Sequence, residues 1–286
     1  MTIQEALSSA KNEFEKAGIP SALLDAEVLL AHALSCNRAY LFAHSEQIIT
    51  EDQEKTFTRY THERAARKPV AYITGHKEFF GLDFEVNKYT LIPRPETEQL
   101  VQEVVDYCKT YPQARSIIEL GVGSGCVILS ILKNVLGLSE ALAIDRVKRT
   151  LEIAQKNADH LGLSSRISFK RSDMWKQVPK ESRFDIIVSN PPYLSADQCD
   201  TARKQYPEIA FEPQIALLGG TDGLLFIKSI FQRVQRHLNP GGAIFLEIGT
   251  QQKNDIERMA KKYLPQADIA FRTDGCGNVR VAIIST

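Results

Sequence analysis

After Pro95, short apolar runs alternate with longer segments whose apolar residues recur at helical spacing. The short runs are SIIEL, ALAID, ISFK, FDIIVSN, AIFLEI and VRVAII, and segments such as QLVQEVVDYC, CVILSILKNV and LFIKSIFQRVQRHL separate them. Continuous runs of aliphatic and β-branched residues are typical of strands buried on both faces, and strands that alternate with helices form parallel sheets. We therefore predict an α/β fold with a mostly parallel, doubly wound, Rossmann-like sheet.

The chain before this region has a different pattern. Its apolar residues recur at helical spacing over the first 67 residues, and Thr50 with Gln53 forms the capping-box pattern that begins a helix. Aromatic and β-branched residues then surround two glycines in VAYITG and FFGLDFEV, which predicts a β-hairpin. We accordingly divide the chain into a small helical domain (1–68), a hairpin linker (69–92) and the α/β domain (93–286).

Charge and composition exclude several classes of protein. The 286 residues include 35 basic and 35 acidic ones, so the net charge of zero does not suggest a protein that coats nucleic acid. No apolar run approaches the roughly 18 residues that a membrane-spanning helix needs. The five cysteines form no C-x-x-C pair, which is against a disulfide framework or a zinc site, and we predict no metal. The N-terminal segment lacks the pattern of a targeting peptide, so a cytoplasmic location is expected.

A glycine-rich loop follows the first apolar run of the predicted sheet. Gly121, Gly123 and Gly125, with Val122 and Ser124 between them, lie at the turn from a strand into a helix, where a ligand can approach backbone N–H groups. A dinucleotide fingerprint would need its third glycine at the next position, which is a cysteine, so the spacing is against a nicotinamide cofactor. The alternative interpretation is that the glycines only allow the strand and helix to pack closely.

Acidic residues end three of the predicted strands. Asp145 ends ALAID about twenty residues after the glycine loop, where a carboxylate can accept from both hydroxyls of a ribose, although it could also only cap a helix. Glu119 ends the first strand and is predicted to face the loop amides or the cofactor's amino-acid portion. Asp173 is predicted to accept from an adenine amino group while Met174 or Trp175 covers the ring, and a strand-end cap is the alternative. Together these residues indicate a nucleoside-containing ligand.

The tetrapeptide Asn190-Pro191-Pro192-Tyr193 directly follows the run FDIIVS. Two consecutive prolines restrict the backbone and remove two N–H donors, so the loop presents rigid acceptors. The Asn190 side-chain oxygen and the Pro191 carbonyl can hold the two N–H groups of an amide or exocyclic amine while Tyr193 stacks on its plane. By accepting a hydrogen bond from each N–H group, these two acceptors favour a pyramidal nitrogen whose lone pair faces an electrophile. None of the six histidines is needed as a base. The alternative is a turn that the prolines merely stiffen.

In this order and at these intervals, ELGVGSG, AID, SDM and NPPY resemble the motifs of class I S-adenosylmethionine-dependent N-methyltransferases. The segment PVAYITGHKEFFGLDFEVNKYTLIPRPETE is similar to the one before the catalytic domain in the PrmC/HemK family of release factor glutamine N5-methyltransferases, and FEPQIALLGGTDGL, LNPGGAIFLEIG and NVRVA also match. The helical N-terminus matches only by its character. Glu119 stands where many members of the family have aspartate, and the position of Met174 varies among them.

This resemblance implies the cofactor, the substrate and the roles of several residues. The cofactor is S-adenosylmethionine, the product is S-adenosylhomocysteine, and the substrate is the glutamine of the Gly-Gly-Gln motif in class 1 peptide chain release factors. Residues 121–125, Asp145 and the residue after Asp173 are expected to contact the cofactor, and the NPPY loop to hold the glutamine. Arg94, Thr97 and Asn190 complete the predicted set of cofactor contacts.

Two other functions stay open at this point. The NPPY loop also suits adenine N6 or guanine N2, so an amino methyltransferase of nucleic acid is one alternative. The ten basic and thirteen acidic residues in the first 90 positions are against this alternative, and we expect no stable nucleic-acid binding. The other alternative is a binding protein for S-adenosylmethionine without turnover, which the simultaneous presence of the glycine loop and NPPY disfavours. We expect the helical domain to recognise the release factor.

Overall fold

The chain folds into two compact units. A computed structural model describes all 286 residues. Unit 1 comprises Met1–His76 with Gln205–Phe211, and unit 2 comprises Lys77–Lys204 with Glu212–Thr286. The return of Gln205–Phe211 to the first unit was not anticipated by the contiguous division made from sequence. None of the helices is both long and apolar enough to span a bilayer.

Unit 1 is helical, as its apolar spacing predicted. Its helices are α1 (Ile3–Lys16), α2 (Ala22–Ala33), α3 (Arg38–Ala43), α4 (Glu51–Ala65) and α5 (Val70–Thr74). The predicted capping box at Thr50 and Gln53 is present at the start of α4. The inward faces of the helices form one apolar core, which includes Phe14, Leu30 and Phe57. This core stabilises the unit by removing apolar surface from water.

A buried ion-pair cluster attaches Gln205–Phe211 to the helices of unit 1. Arg64 is only 5% exposed, and its Nε donates to an Asp25 carboxylate oxygen at 2.7 Å. An Nη of Arg64 donates to Glu208 at 3.1 Å, and Arg67 donates to the same carboxylate at 3.2 Å. Removing one member of such a cluster leaves a buried charge without its partner, so Glu208 fixes the position of this segment.

The linker is only partly a hairpin. The strands β1 (His76–Phe79) and β2 (Leu82–Glu85) pair with each other, but VAYIT forms helix α5, so the predicted strand at residues 70–74 is wrong. A proline precedes this short helix, and Gly75 ends it in the left-handed region with φ of +80°. A five-residue apolar run fits a strand or a helix equally well by periodicity, and here the flanking proline and glycine favour one helical turn.

Unit 2 is a seven-stranded sheet flanked by helices. Its strands are β3 (Ser116–Leu120), β4 (Glu140–Asp145), β5 (Ser168–Arg171), β6 (Phe184–Ser189), β7 (Leu238–Glu247), β8 (Asp268–Thr273) and β9 (Val279–Ser285). Its helices are α6 (Glu98–Thr110), α7 (Cys126–Asn134), α8 (Lys148–His160), α9 (Ala196–Gln205, whose last residue belongs to unit 1), α10 (Leu225–His237) and α11 (Lys253–Tyr263).

The order of the strands confirms the predicted doubly wound sheet. The order is β5-β4-β3-β6-β7-β9-β8; the pairs from β5 through β7 are parallel, and β9 is antiparallel to both of its neighbours. The edge strand β8 was not predicted, because its polar residues and partly exposed pattern give a weak strand signal. The chain reverses its direction of winding between β3 and β6. Ligands of open α/β sheets bind at the carboxyl ends of the strands beside such a reversal.

Candidate active site

A cavity lies at the carboxyl ends of β3, β4 and β6, with about 990 Å³ of empty volume that is partly open to solvent. The glycine loop, the acidic strand ends and the NPPY loop all contribute to its wall, together with the segment before α6. Of the predicted site residues, those that line it are Arg94, Thr97, Glu119, Gly121, Val122, Gly123, Ser124, Asp145, Asp173, Met174, Asn190, Pro191 and Pro192. Gly125, Trp175 and Tyr193 do not line it.

The three glycines of the loop have two different roles. A Cβ added at Gly121 or Gly123 would meet no atom within 4 Å, because the space beside both residues belongs to the cavity. A Cβ at Gly125 would lie 2.9 Å from Leu129 Cδ1 and 3.4 Å from Ala154 Cβ. The close-packing interpretation is therefore correct for Gly125, whereas the open space beside Gly121 and Gly123 is compatible with the approach of a ligand.

Two carboxylates line the cavity and accept from backbone amides of the glycine loop and of the helices near it. The Glu119 carboxylate, 2% exposed, accepts from the Ile128 amide at 3.1 Å, and burial raises its pKa well above the usual range. The Asp145 oxygens accept from the amides of Gly123 at 3.3 Å and Val147 at 2.9 Å, and burial raises the pKa of this group also. Asp145 therefore does stabilise the start of α8, as its alternative interpretation held. Each Asp145 oxygen keeps acceptor capacity for a ligand hydroxyl.

Met174 and Trp175 point in different directions. Met174 lines the cavity and has an unusual left-handed backbone with φ of +49°, while the Ser172 hydroxyl donates to its carbonyl oxygen. Trp175 is 2% exposed and stacks on the His237 ring in the core, with ring centroids 4.5 Å apart. Trp175 as a cover for adenine is therefore wrong, and Met174 is the candidate. Asp173 lines the cavity and pairs with Lys176 at 2.5 Å.

The NPPY loop presents acceptors to the cavity. The Asn190 amide nitrogen donates to Thr97 Oγ1 at 3.1 Å, and the Thr97 hydroxyl donates to Glu247 at 2.6 Å. No hydrogen bond within the chain uses the Asn190 side-chain oxygen or the Pro191 carbonyl. Tyr193 lies beside the cavity, where its hydroxyl donates to Glu247 at 3.4 Å and burial raises its pKa. The stacking of Tyr193 on a substrate stays a prediction.

Two glycines that were given no role from sequence support the NPPY backbone. A Cβ at Gly219 would lie 2.5 Å from the Pro192 carbonyl oxygen, and one at Gly223 would lie 2.3 Å from the Tyr193 carbonyl oxygen. The Gly219 amide also donates to the Leu194 carbonyl at 2.8 Å. Three glycines within GGTDG were the available signal, since such spacing indicates a close approach of backbone.

Two buried glutamates beside the cavity were also missed. Glu247, at the end of β7, is 2% exposed, and burial raises its pKa to about 6. Glu212 is 5% exposed; it pairs with Arg94 and accepts from the Ile92 amide at 3.1 Å. A glutamate at the end of an apolar strand, as in AIFLEI, was the signal for Glu247. The chain contains no cluster of three or more His, Cys, Asp or Glu side chains that could hold a metal ion.

Comparison with protein families matches both parts of the chain. The family model described as "PrmC N-terminal domain" matches residues 5–75, and the one described as "Methyltransferase domain" matches residues 113–267. The first match extends into the predicted linker at 69–92, and the second lies within the α/β part of the chain.

Curated relatives match almost the whole chain. A release factor glutamine methyltransferase of Koribacter versatilis is 38% identical, and the match covers 87% of this chain and 87% of that protein. A protein of the same name from Rhodopirellula baltica is 32% identical over 98% of this chain and 95% of its own length.

Solved structures resemble the chain in fold. The hMettl16 catalytic domain, solved in complex with a 3′UTR hairpin, has a TM-score of 0.58 at 17% identity, covering 79% of this chain and 81% of that one. The 16S rRNA N2 methyltransferase RsmC of T. Thermophilus, solved with AdoMet and guanosine, has a TM-score of 0.50 at 17% identity, covering 74% of this chain and 49% of that one. At this identity the likeness concerns the fold alone.

Proposed function

Because the chain belongs to the family of release factor glutamine methyltransferases, and is thus an S-adenosylmethionine-dependent methyltransferase, we propose that it methylates the side-chain nitrogen N5 of a glutamine in peptide chain release factors. The proposed target is the glutamine of the Gly-Gly-Gln motif. The observation that carries this proposal is that Asn190 and Pro191 line the cavity while the side-chain oxygen of Asn190 and the carbonyl oxygen of Pro191 have no partner in the chain. A primary amide has two N–H donors for such a pair.

The cavity fits S-adenosylmethionine in three respects. Gly121 and Gly123 leave space at the loop that a Cβ would occupy. Asp145 has acceptor capacity on both oxygens for the ribose hydroxyls. Ser124 lines the cavity, and its buried hydroxyl has the Cys126 thiol, a weak hydrogen-bonding group, beside it, so a polar group of the cofactor would satisfy it better. When bound, the cofactor supplies the methyl group of its sulfonium.

Alignment is the main task of the protein in this reaction. Methyl transfer from a sulfonium is an in-line displacement, so the nitrogen must be held with its lone pair toward the methyl carbon. Asn190 and Pro191 accept hydrogen bonds from the two N–H groups of the amide and so favour a pyramidal nitrogen. The dipoles of these two C=O groups are fixed, and they stabilise the charge that develops on the nitrogen. The nitrogen becomes acidic once it is alkylated, so no strong base is required.

We also propose that the helices of unit 1 recognise the release factor. One glutamine offers little area for selecting a protein, whereas a specific complex buries about 1,200–2,000 Å² in total. Unit 1 exposes large apolar side chains, among them Phe42 at 64% and Ile48 at 74%.

The variant Phe42→Ser/Ile48→Ser is expected to raise KM for the intact release factor without changing cofactor affinity. Leu136→Ser, which changes an 85% exposed side chain of unit 2, is the matched control; an equal KM in both variants would contradict this role.

The direct test of the proposed reaction is transfer of a labelled methyl group. The chain is incubated with labelled S-adenosylmethionine and, separately, a release factor, tRNA or DNA, and label is expected only in the release factor. Asn190→Ala is expected to lower turnover by about 10²–10³ while cofactor affinity changes little. Asn134→Ala, which alters an amide at the end of α7, is the control. Label in nucleic acid but not in the release factor would overturn the proposal.

A further inference from the structure

Two hydroxyl groups around the NPPY loop donate to one buried carboxylate, and one of them also accepts from Asn190. The Thr97 hydroxyl donates to Glu247 Oε2 at 2.6 Å, and the Tyr193 hydroxyl donates to Glu247 Oε1 at 3.4 Å. Thr97 Oγ1 in turn accepts from the Asn190 amide nitrogen at 3.1 Å. Thr97 and Glu247 are each 2% exposed. The Thr97 hydroxyl thus donates one hydrogen bond and accepts another, both within the protein.

The direction of these hydrogen bonds fixes which end of the Asn190 amide faces the cavity. A hydroxyl has one hydrogen, and a carboxylate can only accept, so the Thr97 hydrogen points to Glu247. The lone pairs of Thr97 Oγ1 are then available only to a donor, which is the Asn190 NH₂ group. The Asn190 oxygen must therefore point away from Thr97. If Thr97 donated to Asn190 instead, the amide would turn by half a rotation and offer NH₂ to the substrate.

We propose that Glu247, acting through Thr97, is a positioning residue that holds Asn190 as an acceptor and so makes the site select an amide over a carboxylate. This inference rests on the proposed function, since the substrate atom concerned is the glutamine side chain. We call the chain of hydrogen bonds from Glu247 through Thr97 to Asn190 the relay. In this inference Thr97 belongs to the relay and does not bond the cofactor. Neither Thr97 nor Glu247 needs to touch the reacting atoms.

The surroundings of Glu247 are consistent with its acting as an acceptor. Arg280 and Glu96 are the charged groups that act on it, and Tyr193 and Cys126 are the other titratable side chains nearby. Burial raises the pKa of Glu247 to about 6, so the group is still a carboxylate at neutral pH. Arg280 and the two hydroxyl donors favour this charged form.

The relay makes an unusual prediction about combined substitutions. Glu247→Leu frees the Thr97 hydrogen, which then donates to the Asn190 oxygen and turns the amide the wrong way. Thr97→Val removes the hydroxyl and leaves Asn190 without a preferred orientation. Glu247→Leu should therefore be more harmful than Thr97→Val, and the double variant should recover to the level of Thr97→Val. If Thr97 and Glu247 only stabilised the fold, the loss of activity in the double variant would equal or exceed the sum of the two single losses.

The test measures discrimination as well as rate. Each variant is assayed for methylation of a release factor and for inhibition by the same factor carrying glutamate in place of the target glutamine, with S-adenosylmethionine affinity as the check on folding. Thr97→Val should lower the preference for glutamine over glutamate about tenfold, and Thr97→Ser should restore most of it. Ser130→Ala, a buried hydroxyl in α7, is the control.

The outcomes separate this inference from the proposed function. If the wild-type protein methylates the glutamine but Thr97→Val discriminates as well as wild type, the relay is refuted and the proposed function stands. Additive losses in the double variant would refute the relay in the same way. If the wild-type protein does not methylate the glutamine at all, the proposed function fails and the relay fails with it.

Discussion

Replacing Asp145 by asparagine tests the ribose assignment with a nearly isosteric change. In the wild-type protein one carboxylate oxygen accepts from the Gly123 amide and the other from the Val147 amide. Each oxygen keeps a second acceptor position, and the two positions match the two hydroxyls of a ribose. Asparagine keeps one oxygen and places an NH₂ group where the other stood. That group can accept neither from a ribose hydroxyl nor from the backbone amide.

The expected effect follows from the loss of one acceptor. A hydrogen bond to a charged group contributes about 1.5–3 kcal/mol, so Asp145→Asn should weaken S-adenosylmethionine binding about 10- to 150-fold. Asp145→Ala removes both acceptors and should bind more weakly still. Isothermal titration calorimetry with the cofactor measures both affinities directly.

The control for this experiment is another carboxylate that holds backbone amides. Asp185 accepts from the amides of Arg115 at 2.7 Å and Ser116 at 3.0 Å, at the amino end of β3 and away from the cavity. Asp185→Asn should lower stability while the folded protein binds the cofactor normally. Unchanged affinity in Asp145→Asn, or an equal loss in both variants, would refute the ribose assignment.

Three further predictions address other parts of the site. Met174→Ala should weaken cofactor binding, whereas Trp175→Phe should leave it unchanged in calorimetry; the reverse result would contradict the placement of these side chains. Gly219→Ala adds a Cβ that would lie 2.5 Å from the Pro192 carbonyl oxygen, so turnover should fall more than cofactor affinity. The control is Gly275→Ala, where the added Cβ would contact no atom within 4 Å and neither quantity should change. The pKa of Glu247 is raised from 4.5 to about 6 in the folded state, so ionisation of this group should lower the free energy of unfolding by about 2 kcal/mol as the pH rises through that window. Urea unfolding at about pH 4 and pH 7 should show that this decline is missing in Glu247→Gln, and an identical decline would contradict the burial of the charge.

The sequence predicts those parts of the site that depend on short segments. A buried strand, the glycine turn after it and a carboxylate at the next strand end are all local signals, and they predicted Gly123 and Asp145 at the cavity. NPPY was recognisable for the same reason, because two prolines after an apolar strand restrict the backbone whatever surrounds it.

Contacts between distant segments could not be predicted in this way. Thr97 and Glu247 are 150 residues apart and meet only because the segment before α6 lies at the carboxyl end of β7. The return of Gln205–Phe211 to unit 1 depends on Glu208 finding Arg64, another distant pair. Trp175 was misplaced although it directly follows Met174, which lines the cavity with a left-handed backbone while Trp175 is buried in the core. One sequence contains no signal for that conformation at a methionine.

The central claim is that this cavity aligns a glutamine side chain of a release factor for methylation. Its most direct test is fragment mass spectrometry of a release factor after incubation with the protein and S-adenosylmethionine. We expect a single added methyl group, located on the side chain of the glutamine in the Gly-Gly-Gln motif and greatly reduced with Asn190→Ala. An unmodified glutamine after incubation with active, cofactor-binding protein, or a methyl group located on another residue, would contradict the account.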